Sequence, residues 1–227
     1  MREAFGVTLT VLLPLMLQPR APQAPVPKTM TKMVVRLMGP GIKPGSFAAL
    51  PRTIYRAGPH YARMESPPDA RQQQEKLTII AEPDAYSLNL IDKKGTHAID
   101  QGGGNDLHLP IVLPFDPKHK LVDLDRLEFG EELDFFEDAG ATKKPGPIVN
   151  AKPTDAYVLQ TAEGPVTLVV KPDTDTPVFI SWPAKDGIYK YEYITYEEAP
   201  FEPALFAKPP GFELKEIPPD TTDEEHI

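Results

Sequence analysis

The sequence predicts a mainly β fold: a curved antiparallel sheet or incomplete β-barrel of about ten strands with short covering helices. Three observations carry this. Short apolar runs rich in β-branched and aromatic residues recur along the chain, separated by turn residues. Proline is abundant, 28 of 227 residues, and lies between those runs more often than inside them. That placement favours short strands joined by stiff turns over long helices. Helical spacing is confined to the middle of the chain, so the crossover helices of a doubly wound parallel sheet are missing.

Taken in order, Thr29–Leu37 is rich in β-branched residues and reads as a first strand. Gly39-Pro40-Gly41 and Pro44-Gly45 mark a loop. Ala48–Arg56 and Tyr61–Glu65 are two strands joined through Gly58-Pro59, and Lys76–Ala81 is a third, stopped at Glu82-Pro83-Asp84. Tyr86, Leu88 and Leu90 alternate with Ser87, Asn89 and Ile91, a half-buried strand pattern, and Lys93-Lys94-Gly95 turns the chain back into Thr96–Ile99, a hairpin. Gly102–Asn105 is a flexible stop, and Leu107–Phe115 an apolar run broken by prolines. Leu121–Leu127 and Glu131–Ala139 show helical spacing and predict two short helices around Gly130. Thr142–Pro153, rich in Lys, Pro and Gly, reads as loop. Ala156–Thr161, Val166–Lys171, Val178–Trp182 and Ile188–Tyr196 then form a four-strand meander. Pro203–Pro210 is a loop, and Phe212–Ile217 a final edge strand.

The domain organisation follows. Arg2 precedes an uncharged run, Ala4–Leu17, shorter than the ~20 residues that span a bilayer, with Ala21 and Ala24 as small residues beyond it. Residues 1–24 therefore read as a secretory signal peptide, which places the protein in the periplasm or cell envelope. Residues 25–217 read as one β-rich half-barrel domain and 218–227 as an acidic disordered tail. No later stretch predicts a stable membrane span. The absence of cysteine removes both a disulfide framework and a lipidated N-terminal cysteine. A net charge of −9 without a basic stripe argues against nucleic acid and against anionic membrane surfaces as partners.

Catalytic chemistry finds little footing. None of Ser46, Ser66, Ser87 and Ser181 sits in a Gly-x-Ser-x-Gly elbow. The histidines His60, His97, His108, His119 and His226 make no zinc-helix pair, and no metal or other cofactor is expected. His97, Asp100 and His108 are the one combination from which a hydrolase could be built, across the glycine loop. The paired carboxylates Glu131-Glu132, Glu137-Asp138 and Glu197-Glu198 point apart within each pair and are expected to be solvated. The aromatic set is more informative: Tyr189, Tyr191 and Tyr193 share one strand face, with Tyr196 just beyond, and Phe179 and Trp182 lie on opposite faces of the preceding strand. They form either plain core or one wall of an apolar groove, whose candidate lining is Leu88, Leu90, Phe179, Tyr191 and Tyr193.

The strand series resembles the periplasmic lipoprotein-carrier (LolA/LolB-like) superfamily and its outer-membrane lipoprotein-sorting-type members. The similar residues are Ile54-Tyr55-Arg56, Tyr61–Glu65, Tyr86–Leu90, Asp173–Ile180, Tyr191–Tyr196 and Leu205–Pro209. The resemblance implies an incomplete antiparallel barrel with a helical lid and an apolar concave face that shields an acyl chain or lipoprotein, and it makes Arg63 the strand arginine that contacts the lid. The short, acidic middle helices depart from that pattern. The leading expectation is a non-enzymatic periplasmic binding protein for an apolar ligand, acyl chain or lipoprotein. The alternatives are an envelope structural or interaction protein using the sheet as scaffold, and an envelope hydrolase.

Overall fold

A computed structural model describes residues 26–99, 124–162 and 164–218. Within them the chain forms one 12-stranded curved sheet whose edge strands do not meet, so the barrel stays open. The strands are β1 (Thr29–Met38), β2 (Arg52–Arg56), β3 (Tyr61–Glu65), β4 (Lys76–Ala81), β5 (Asp84–Asn89), β6 (Lys94–Ile99), β7 (Thr142–Pro145), β8 (Asp155–Thr161), β9 (Gly164–Val170), β10 (Pro177–Ala184), β11 (Gly187–Pro200) and β12 (Glu213–Glu216). Among the described residues one α-helix, α1 (Glu132–Asp138), and 3-10 turns at Phe47–Ala49, Leu124–Arg126 and Pro203–Leu205 complete the elements.

The sheet order is β12-β6-β5-β4-β3-β2-β1-β11-β10-β9-β8-β7. It is two antiparallel meanders, β2–β6 and β7–β11, joined along β1. On one side β1 pairs with β2, Met33 opposite Ile54; on the other it pairs with β11, Leu37 opposite Tyr191. The register of that second pairing slips by one residue between Val34 and Val35, a β-bulge. β12 adds beside β6 in parallel, the one parallel pair among the described strands.

Alternation along each strand sends apolar side chains to both faces, and each face has its own cover. On the inner face Met33, Val35, Ile54, Leu168, Ile180, Trp182 and Tyr191 pack against Leu124, Leu127, Phe129 and Phe136. On the opposite face of the β3–β5 half, Tyr61, Leu77, Ile79 and Leu88 pack against Phe206, with Phe201, Leu205 and Phe212 alongside. The phenyl rings of Phe201 and Phe206 stack at 5.1 Å, and Tyr61 meets both edge-on.

Several expectations are corrected by this architecture. Thr142–Pro145 is strand β7, paired with β8, inside a segment expected to be loop. It has no apolar pattern because all four of its residues are exposed at the sheet edge. The strand expected over Ala48–Arg56 begins only at Arg52, after a 3-10 turn. Leu124–Arg126 forms a single 3-10 turn where a helix over Leu121–Leu127 was expected. Leu121 itself, the glycine stop, Leu107–Phe115, the signal-like segment 1–24 and the tail from residue 219 lie outside the described residues. Among the described residues no helix is long and apolar enough to cross a membrane.

Candidate functional site

The polar chemistry concentrates where the inner cover meets the sheet. Helix α1 places Glu132 and Phe136 one turn apart on the same side, so both enter the core. Phe136 is fully buried, and Glu132 is 1% exposed. The Glu132 carboxylate accepts a hydrogen bond from the Tyr193 hydroxyl at 2.5 Å and from the Gly130 amide at 2.8 Å. Burial, partly offset by those donors, pushes its pKa from 4.5 up to about 7. Desolvation, reinforced by the neighbouring carboxyl, holds the Tyr193 hydroxyl well above the ordinary tyrosine value.

Beside it lies a guanidinium clasp. Arg56, at the end of β2, donates to Glu128 in a buried ion pair and to Glu131 at 2.7 Å. Its Nε reaches the Gly58 carbonyl at 2.8 Å, and Nη2 the Pro59 carbonyl at 3.2 Å. Arg56 is thus spent on Glu128, Glu131 and the β2–β3 turn. Gly130 makes the geometry fit: its φ is +87°, and a Cβ there would stand 2.9 Å from the Arg56 stem. A cleft of about 230 Å³ opens beside the cluster, lined by Glu131, Glu132, Asp134, Asp175 and Tyr196 among others.

The expectation that Glu131-Glu132 is a solvated pair is therefore corrected for Glu132, whereas Glu137, Asp138, Glu197 and Glu198 are exposed as expected. The helical phase with Phe136, and the need of inward-facing tyrosine hydroxyls for a partner, are the sequence signals that point to Glu132.

The five expected lining residues do not form one wall. Tyr191 and Tyr193 belong to the inner core under α1. Leu88 and Leu90 belong to the core on the other face, beneath the C-terminal segment. Phe179 packs with Val158 and Val169 on the outer face of the second meander, with the Lys190 ammonium 5.3 Å above its ring. Arg63 reaches not α1 but the C-terminal segment, donating to the Leu205 carbonyl; the arginine that meets the helical cover is Arg56. His97 is hydrogen-bonded to Asp84 at 2.9 Å and to Glu216 at 2.7 Å, tying β12 to β6, while Asp100 and His108 lie outside the described residues. Among the described residues no group of three or more His, Cys, Asp or Glu side chains is placed to hold a metal.

No protein-family model and no curated protein matches this chain. Among solved structures, an uncharacterized conserved protein from Thermus thermophilus is similar in fold, with a TM-score of 0.50 at 8% identity over 84% of this chain and 91% of its own. The MucA/MucB complex of Pseudomonas aeruginosa matches more loosely, with a TM-score of 0.31 at 12% identity over 79% of this chain and 56% of that one.

Proposed function

We propose that this chain is an exported, non-enzymatic interaction protein whose curved sheet is a scaffold for a protein partner. The observation that carries this is the filled inner face. Leu127, Phe129 and Phe136 occupy the hollow that an apolar cargo would need, and Phe129 meets the Tyr191 ring edge-on at 5.3 Å. The outer face of β10 and β11 supplies a contact surface: Ile188 is 68% exposed and Phe179 is half-buried, with the Lys190 ammonium over the Phe179 ring and the Arg36–Glu192 ion pair beside it. A surface of interspersed apolar and charged side chains is the usual make-up of a non-obligate interface. Export is supported by the signal-like sequence of residues 1–24.

The carrier reading retains one support. The inner cover rests on an aromatic floor, Trp182, Tyr191 and Tyr193, that would suit acyl chains if the cover withdrew. One experiment separates the two. The full-length protein is purified from the envelope fraction of its own cells, and both its solvent extract and its co-purifying proteins are quantified. The scaffold reading expects one stoichiometric protein, lost on Ile188→Glu, and no stoichiometric lipid. About one acyl lipid per chain and no protein partner would overturn it in favour of the carrier.

A further inference from the structure

The inner cover is fastened by two different devices. Phe136 and Leu127 are apolar plugs, both wholly buried, and carry no group that titrates. Glu132 is a carboxyl sealed between α1 and β11, where its described hydrogen bonds come from neutral donors, the Tyr193 hydroxyl and the Gly130 amide. The nearest described cation, Arg56, has its donors committed to Glu128, Glu131, Gly58 and Pro59.

We propose that Glu132 is a proton-operated latch: neutral, it keeps the segment Leu124–Asp138 seated on the sheet, and ionised, it loosens that segment and bares the floor around Trp182.

The acidic groups facing the carboxyl oppose its ionisation, and the opposing charge, the Arg56 guanidinium, is ion-paired to Glu128 and Glu131. Glu128 and Glu131 come from the segment before α1, Asp134 from α1 itself, and Asp175 from the β9–β10 turn across the cleft. Tyr191, Tyr193 and Tyr196 on β11 are neutral hydroxyls near neutral pH, because burial raises all three. Arg56 is the cation beside Glu132, set against Glu128 and Glu131, and across the cleft Asp175 is paired with Lys143 at 3.1 Å. Ionising Glu132 therefore adds an unmatched charge in a site screened from water, which disfavours the seated state. The upward shift of Glu132 agrees with that geometry and places the transition near neutrality.

The chain has one tryptophan, Trp182, fully buried in the inner core and tilted against Tyr191, whose ring Phe129 of the cover meets, so its fluorescence reports on the floor beneath the cover. The test is acrylamide quenching of Trp182 together with hydrogen–deuterium exchange of peptides covering residues 124–139, both across about pH 5 to about pH 8 with intrinsic exchange rates corrected. The expected result is a fall in protection of that segment of about tenfold or more with a midpoint near neutrality, a parallel rise in quenching, and in β3–β5 a change no larger than the loss of global stability over the same range accounts for. Glu132→Gln keeps the shape and an acceptor oxygen without the charge, and should hold the cover seated at every pH. Should Glu132→Gln fail to fold, Tyr193→Phe removes the donor to the carboxylate and should move the midpoint to higher pH. An equal pH dependence in Glu132→Gln, an unmoved midpoint in Tyr193→Phe, or a loss of protection spread evenly over the sheet would overturn the latch.

Discussion

Arg63 on β3 donates through Nη1 to the carbonyl oxygen of Leu205, 2.7 Å away and 142 positions along the chain. Its Nε binds Glu65 at 2.8 Å, which fixes the guanidinium in that pose. One side chain thus pins the C-terminal segment onto the face of the sheet opposite α1. Arg63→Met should keep the aliphatic packing, lose the charge-assisted bond and cost about 1.5–3 kcal/mol. Urea denaturation would measure the loss, and faster amide exchange confined to the segment around residues 201–212 would locate it.

Arg56 differs from Arg36 although each pairs with a glutamate of another element. Arg56 and Glu128 are 4% and 5% exposed, whereas Arg36 and Glu192 are 41% and 34% exposed. Removing Arg56 leaves a buried carboxylate without its counter-charge, so Arg56→Met should cost about 3–5 kcal/mol. Arg36→Met at the solvent-facing pair should cost no more than about 1 kcal/mol. Equal losses in chemical denaturation would contradict this ranking.

Global stability should also feel Glu132. Its folded pKa, about 7, lies above the ordinary 4.5, so the folded state holds a proton that the unfolded chain has released between those values. The stabilisation is full below 4.5, declines as pH rises, and is lost once pH passes about 7. At ~1.36 kcal/mol per pH unit the full span is on the order of 3 kcal/mol. Denaturation midpoints at about pH 5 and about pH 8 should differ accordingly, and Glu132→Gln should remove most of the difference.

The sheet edge at β7 carries Lys143, Lys144 and Pro145, and proline offers a neighbouring strand no N–H. Lys143 is held by Asp175 at 3.1 Å and Asp155 at 3.5 Å, with its ammonium 5.0 Å from the Tyr157 ring centre. Pro145→Thr restores a donor at this edge with little change in bulk. It should raise concentration-dependent self-association, read by light scattering, while the wild-type chain at the same concentration stays unchanged.

Strands with an apolar face were legible in the sequence. Tyr61–Glu65 and Lys76–Ala81 match β3 and β4 end to end, and the meander from Ala156 to Tyr196 falls on β8–β11, because half-buried strands imprint their alternation. β7 was not legible, since an exposed edge strand is selected for charge and proline, the same residues that mark loops. The parallel seating of β12 was hidden too: Ile217 and Glu213 donate backbone bonds to His97 and Lys93, and no side-chain pattern records which way an edge strand runs. The candidate site was half visible. The tyrosines on one face of β11 stood out, but Glu132 looked like one of several surface acids, because its burial depends on how α1 lands on the sheet and not on its immediate neighbours.

The central place of β1 bears on how the protein is made. Thr29 leads the described strands during synthesis, yet its neighbour across the bulged register is Pro200, near the far end of the chain. Until that late stretch arrives, one whole flank of the founding strand has nothing to bond to, and the first meander can close only on its other side. Such distant pairing slows folding and prolongs the interval in which nascent chains can stick to one another. A shortened chain ending before Gly187 should therefore aggregate even though every residue of the first meander is intact.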